Sequence, residues 1–328
     1  MRVFVTGSAG HLGEALIRTL RSTGHHDVVG LDVMASHFTS EVGSILDRSC
    51  VKRCMNGVDA VLHTASLHKP HVITHGRQDF IDTNITGTLN LLEEAASVGV
   101  RSFVFTSTTS AFGAALTPPA GAPAAWVTED VTPVSKNIYG VTKTAAEDLC
   151  ELFHRDHGLA CLVLRTSRFF PEEDDCAAIR QAYEDDNVKA NEYLYRRVDL
   201  EDVVSAHLLA LEQAPSIGFG RYIITATTPF LPEDLFDLRV KAPLVVRRRV
   251  PEYEAEYARR GWKMFPSTDR VYVNEKARRD LDWKPRYDFG YVLRRLQSNE
   301  KFRSALSITV GSKGYHTEKF ADGPYPVE

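Results

Sequence analysis

Tyr139 and Lys143 bracket the string Tyr139, Gly140, Val141, Thr142, Lys143, which opens a helical pattern continuing through Ala146, Leu149 and Phe153. Residues four apart share one helix face, so the ammonium is expected beside the phenol. A free tyrosine titrates at about 10, and a buried lysine together with a positively charged nicotinamide is expected to bring the phenol towards neutrality. Such a group takes a proton from a hydroxyl. Upstream, the strand-like Phe103, Val104, Phe105 runs into Thr106, Ser107, Thr108, Thr109 and Ser110. Hydroxyls are thereby concentrated where a parallel strand delivers side chains to a ligand.

A second constellation lies at the start of the sequence. Val3, Phe4 and Val5 lead into Thr6, Gly7, Ser8, Ala9, Gly10, His11, Leu12 and Gly13, followed at once by a helical pattern from Glu14 to Leu20. Glycines at this spacing serve a tight turn, close backbone approach to a pyrophosphate and close helix packing, with the helix N-terminus facing the phosphate charge. Asp32, nineteen residues past Gly13, ends the strand pattern Val28 to Leu31. A carboxylate there accepts from ribose hydroxyls and repels a 2'-phosphate, and Val33 to Ser36 contain no arginine to neutralise one. NAD is expected rather than NADP. A base that takes a hydroxyl proton beside a dinucleotide points to hydride transfer from a secondary alcohol.

These groups need parallel strands to deliver them. Short β-branched runs near 2–6, 27–31, 59–63, 101–106 and 160–165 alternate with amphipathic stretches, which predicts an α/β fold built on a doubly wound parallel sheet, the Rossmann fold. Helices are expected over Asp79 to Ser97 and from Asp199 through Leu211, with one more strand over Arg221 to Thr225. The Rossmann domain is read as 1–170 and 198–228. The acidic excursion 171–197 and the Pro-, Arg- and Tyr-rich stretch 229–328 are read as a smaller C-terminal substrate-binding lobe and tail. Ala114 to Ala125 reads as a Pro, Ala and Gly loop, and the stretch after Ser307, with Gly311, Gly314 and Gly323, as a polar tail.

Several motifs in order resemble the extended short-chain dehydrogenases/reductases of the NAD-dependent epimerase/dehydratase family (UDP-glucose 4-epimerase-like). They are Thr6 to Gly13, Asp32, GVDAVLHTA (57–65), NITGTLNLL (84–92), FVFTSTTSAFG (103–113), Tyr139 to Lys143, Leu164 with Arg165, and ARRDLDWKP (277–285). The resemblance implies Thr108, Tyr139 and Lys143 as catalytic residues. It implies cofactor contacts from Gly7, Ala9, Gly10, His11, Leu12, Gly13, Asp32, Ser44, Ile45, Thr64, Ala65, Ser66, Asn84, Tyr139, Lys143 and Thr166. Substrate contacts fall on Thr108, Thr109 and Arg168. A homodimer through the helices at 79–97 and 137–157 is implied as well.

The sequence departs from the family in ways that narrow the reaction. Thr109 and Ser110 stand where sugar dehydratases of this group place Asp and Glu, which argues against dehydration. Ser44 replaces an adenine-contacting Asp, and His68 a cofactor-binding Lys. Arg168 replaces the Asn after the Leu-Arg pair, and Tyr195 occupies the place of a diphosphate-binding Arg. The segment Arg165 to Glu172 resembles uronate dehydrogenases, in which an arginine grips a carboxylate. Arg168 either does likewise or pairs with Glu172, Glu173 or Asp174. The expected substrate is a sugar or sugar-like secondary alcohol, oxidised and re-reduced as in an epimerase, or released as the product of a sugar-acid dehydrogenase. A noncatalytic NAD(H)-responsive binding protein is the third reading, and relatives of that kind usually lose the Tyr or Lys kept here.

Composition removes other classes. The 328 residues carry a net charge of -4, so there is no broad basic surface for nucleic acid. The Arg247 to Arg249 run before the helix pattern at 252–260 reads as a solvated stretch. No apolar run approaches the roughly 18 residues of a membrane span, and no leader precedes the first strand, so a cytoplasmic protein is expected. Five cysteines, Cys50, Cys54, Cys150, Cys161 and Cys176, lack framework spacing, and Cys50 with Cys54 reads as packing. His63, His68, His71 and His75 lack the carboxylate or thiolate partners of an ordered set, so no metal is expected.

Overall fold

A computed structural model describes residues 1–314 and 320. Seven parallel strands form the main sheet: β1 (Arg2–Thr6), β2 (Asp27–Asp32), β3 (Glu41–Val42), β4 (Ala60–His63), β5 (Ser102–Thr108), β7 (Cys161–Thr166) and β8 (Phe219–Ile224), in the order β3-β2-β1-β4-β5-β7-β8. The order reverses beside β1, between β2 and β4, so a crevice opens at the carboxyl ends of β1 and β4. Each strand residue points to the face opposite its neighbour's. Val3, Val5, Leu62, Val104, Leu162 and Leu164 pack one face against α1 (His11–Thr23) and α8 (Leu200–Ile217). Phe4, Val61, Phe103, Phe105, Cys161 and Val163 pack the other against α2 (Arg48–Met55), α4 (Gly87–Val98) and α5 (Ile138–His157). Both faces are covered, which is why these strands read as continuous apolar runs.

The expected helix over 79–97 is broken. α3 (Arg77–Ile81) passes into one π-helical turn, Asp82–Thr86, before α4 begins. Asn84, in that turn, donates to the Leu67 carbonyl and Thr142 Oγ1, each at 3.0 Å, and its Oδ1 accepts from Leu67 N–H and Ser66 Oγ. The local widening turns one buried amide into a tie between the 66–67 loop and α5.

A second body of structure carries α6 (Ala177–Ala182), α7 (Asp185–Glu192), α9 (Leu235–Arg249), α10 (Tyr253–Arg260), α11 (Glu275–Asp280) and α12 (Phe289–Gln297). Its apolar cluster includes Tyr193, Leu194, Leu238, Val246, Tyr257, Val271 and Phe289. The loop read at 114–125 ends in a strand: β6 (Ala125–Val127) pairs in parallel with β9 (Arg270–Tyr272), apart from the main sheet. The tail after Ser307 is not merely polar. α13 (Ala305–Val310) runs into it, with Val310 in the main core, and Ser312 Oγ donates to Glu172 at 2.7 Å. Gly323 lies outside the described residues. The Arg247 to Arg249 run ends α9 in ion pairs with Glu233, Asp234 and Glu254, and no helix of the described residues is long and apolar enough to cross a membrane.

One buried ion pair sets the position of α5 on the sheet. Arg165 of β7 reaches Glu147 of α5 at 2.7 Å, their side chains only 4% and 1% exposed, and Ser107 of β5 donates to the same carboxylate at 2.5 Å. Glu147→Gln leaves a buried guanidinium without its counter-charge, so the protein is expected to lose about 3 kcal/mol. A urea unfolding midpoint unchanged from the native protein would contradict this.

Candidate active site

The helix α5 starts where it does because Asn137 Oδ1 caps it, accepting from Gly140 N–H at 3.1 Å. Tyr139 and Lys143 then follow one turn apart, both buried against the end of β5. Thr108, the last residue of β5, lines the same cavity as Tyr139 and lies near enough to the phenol to favour its charged form, and its Oγ1 accepts from Ser110 N–H at 3.0 Å. Burial dominates the phenol and pushes it up to about 12, with Thr108 opposing. Lys143 does not by itself bring the phenol towards neutrality, for a geometric reason. Lys143 Nζ donates to the Thr106 carbonyl at 2.6 Å and lies 4.2 Å from the centre of the Phe105 ring, and it makes no hydrogen bond to the phenol. Burial lowers this ammonium to about 7, against the pull of Glu147 and Cys150.

Around this pair, Thr109 Oγ1 donates to the Thr166 carbonyl at 3.4 Å and Thr166 Oγ1 to the Ser107 carbonyl at 3.0 Å. His63 is buried between Thr6 and Thr88, 2.8 and 2.9 Å from their hydroxyls. Burial, with Lys143 adding to it, lowers His63 to about 3, so it is a neutral structural imidazole. The His71 ring accepts from His68 N–H at 2.8 Å, and the His68 ring meets Tyr139 edge-on at 6.1 Å. Cys50 and Cys54 are buried packing residues of α2.

The glycine segment forms a cradle beside this group. Gly7 has φ +72°, and its N–H donates to Leu31 O at 2.8 Å, which folds the turn back onto β2. A side chain at Gly13 would place its first carbon 2.0 Å from the Gly7 carbonyl oxygen, so only glycine lets α1 start this close to the turn. α1 opens at His11 and Leu12 with no side-chain cap on Gly10, leaving first-turn amides that lack intrahelical acceptors. Asp32 accepts Ala9 N–H and Met34 N–H, both at 2.9 Å, one on each oxygen. Open helix amides and a carboxylate with lone pairs to spare fit the diphosphate and ribose of a dinucleotide. Thr64 Oγ1 donates to Thr6 O at 2.7 Å, which sets Ala65 against Gly7. Ser44 Oγ accepts from Leu46 N–H, and Ile45 is buried with its carbonyl held by Asn90.

A cavity of about 240 Å3 brings Thr64, Thr108, Thr109, Tyr139, Lys143, Thr166 and Arg168 together. Gly7, Asp32, Ser44 and Asn84 do not line it. Arg168 meets Asp174 at 2.7 Å and Glu192 at 3.3 Å and donates to the Glu173 carbonyl. Of the two readings of this residue, the ion pair is what the structure displays, with Glu192 and Asp175 joining Asp174 as partners. Lys69, Arg196 and Arg270 also line the cavity and escaped sequence reasoning. Arg196, adjacent to the noted Tyr195, was within reach of the family pattern; Lys69 and Arg270 carried no signal.

Residues 3–224 match the family described as the NAD dependent epimerase/dehydratase family. The UDP-glucose 4-epimerase of Erwinia amylovora is 31% identical over 168 residues, 45% of this chain and 47% of that protein. The uronate dehydrogenase of Pseudomonas syringae pv. tomato is 27% identical over 184 residues, 52% of this chain and 60% of that protein. The chain thus spans less than two thirds of the length of these relatives. In fold, the chain is similar to a short-chain dehydrogenase/reductase superfamily protein from Agrobacterium tumefaciens solved with bound NAD, at TM-score 0.65 and 23% identity, covering 91% of this chain and 96% of that one.

The cradle itself makes a test. Gly13→Ala must push α1 away from the Gly7 carbonyl, and overpacking of this kind costs about 1–3 kcal/mol. Thermal unfolding is expected to fall accordingly and dinucleotide affinity to fall with it; a variant with native stability and affinity would show that the contact is not constraining.

Proposed function

The chain belongs to the NAD dependent epimerase/dehydratase family, and from that premise we propose that it interconverts a secondary hydroxyl and a carbonyl on a sugar or sugar-like substrate, as an epimerase. The observation that carries this reading is the convergence of Thr108, Tyr139 and Lys143, the last one helical turn along from the phenol, on one cavity beside the glycine cradle. The cradle and Asp32 would hold NAD, which would supply the hydride chemistry at the reacting carbon. Tyr139 Oη takes the proton of the substrate hydroxyl as the carbonyl forms and returns it when the carbonyl is reduced. Thr108 Oγ1 orients the hydroxyl towards the phenol. Lys143, one helical turn from Tyr139 on the same face of α5, is the cation assigned to favour phenolate when protonated. Reduction from the opposite face gives the epimer.

A second reading, net oxidation of a free sugar acid, is favoured by the cationic side chains Lys69, Arg168, Arg196 and Arg270 around the cavity. The two readings differ in what accumulates. An epimerase changes product stereochemistry without net NADH, whereas a dehydrogenase produces NADH in step with substrate loss. The family's dimer is part of this proposal too, since α4 and α5 leave Val98, Val141 and Leu152 exposed; a monomer in sedimentation equilibrium would remove it.

Tyr139→Phe keeps the ring and removes the ionisable oxygen. Single-turnover hydride transfer is expected to fall about 100-fold or more while NAD still binds. NAD should be preferred over NADP at least about tenfold, through Asp32, in both proteins. A folded, NAD-binding Tyr139→Phe enzyme that reacts at the native rate would overturn the mechanism.

A further inference from the structure

Three carboxylates serve four cations on the lobe side of the cavity. Asp175 holds Lys69 at 2.7 Å, Asp174 holds Arg168 at 2.7 Å, and Glu192 holds Arg196 and Arg197, both at 2.7 Å, while also meeting Arg168 at 3.3 Å. Burial alone would raise Glu192, but Arg197, Arg196 and Arg168 together hold it well below the usual carboxylate range. These acids are fully committed.

Arg270 stands outside this set. It lines the same cavity, yet among the described residues its guanidinium has no ion pair and no hydrogen bond, and its buried Nε meets no acceptor. Its sequence neighbour Asp269 is taken by Arg239. Arg270 is also well positioned: it opens β9 in register with Ala125 of β6, and the strand is tied across to the other cations where Tyr272 N–H donates to Tyr195 O at 3.1 Å. Arg196 adds a second uncommitted donor, since its Nε is likewise buried without an acceptor. A partly buried cation with no counter-charge is costly, and an incoming anion offsets that cost while the fixed fork of the guanidinium orients it.

We propose that the substrate carries an anionic oxygen group, a carboxylate or a phosphoryl, and that Arg270 binds it and so determines substrate specificity. This rests on the reading of the cavity as the substrate site. It transfers the anion grip from Arg168, whose charge the protein already neutralises, to the one lining arginine whose charge it does not.

Calorimetry on the NAD-saturated enzyme tests the assignment without requiring turnover, using D-glucuronate, glucose 6-phosphate and UDP as anionic probes and glucose as the neutral control. At least one anionic probe is expected to bind the native enzyme more tightly than glucose. Arg270→Gln should weaken it about 30-fold, the range for losing a charge-assisted contact, with partial recovery in Arg270→Lys and no change for glucose. The probe that responds identifies the group as carboxylate, phosphomonoester or diphosphate. No preference for any anionic probe over glucose, or equal binding by native enzyme and Arg270→Gln, overturns the proposal. Failure of the hydride-transfer reading would instead appear as native-rate chemistry in Tyr139→Phe, which these titrations do not touch.

Discussion

The buried Glu147–Arg165 pair is the constraint on which the rest of the site depends. Tyr139, Lys143 and Glu147 are successive residues of one face of α5, so whatever fixes Glu147 fixes the other two. Ser107 of β5 and Arg165 of β7 hold that carboxylate directly, and Arg221 of β8 approaches it at 3.3 Å. Arg165 in turn stacks over Phe112 at 4.8 Å, just past the strand end that presents Thr108. Two charges removed from water give little net stability, but they allow only one placement of helix on sheet. The phenol and the Thr108 hydroxyl face one cavity because both are referred to that one placement.

Titration behaviour follows from the same burial. A site closed enough to exclude water raises the phenol and lowers the ammonium, which are opposite to what a proton acceptor with a cationic neighbour needs. Lys143, instead of reaching the phenol, satisfies itself on the Thr106 carbonyl. On the proposed reading, the charge that would make the phenol a base has to be completed on binding, and the protein's part is to hold the groups in order at low dielectric until then.

How much was legible in the sequence depended on how local the physics was. The strand runs near 2–6, 27–31, 59–63 and 160–165 lie within a residue or two of β1, β2, β4 and β7 because burial on both faces writes itself as consecutive apolar residues. The glycine turn was equally plain, since its steric demand involves residues six apart. By contrast, β3, β6 and β9 are two or three residues long, too short to show a period. The ambiguity of Arg168 could not be resolved from its neighbours, because one partner, Glu192, lies 24 residues on. Lys143 finds its acceptor 37 residues back. Arg270 was invisible for a different reason: what sets it apart is the absence of a partner, and no string of letters shows an absence.

The last described turn of the chain bears on how the protein is made. Lys313 pairs with Glu14 of α1, 299 residues earlier, and its N–H donates to His11 at 3.0 Å. α1 meets Glu172 through His11 at 3.1 Å, but its contact with Lys313 has to await a residue 299 positions on from Glu14. Early strands can associate as they emerge. The N-terminal end of α1 thus gains this flank only after the 299 residues that separate Glu14 from Lys313 have been made, so in a nascent chain the contact follows the strands rather than preceding them.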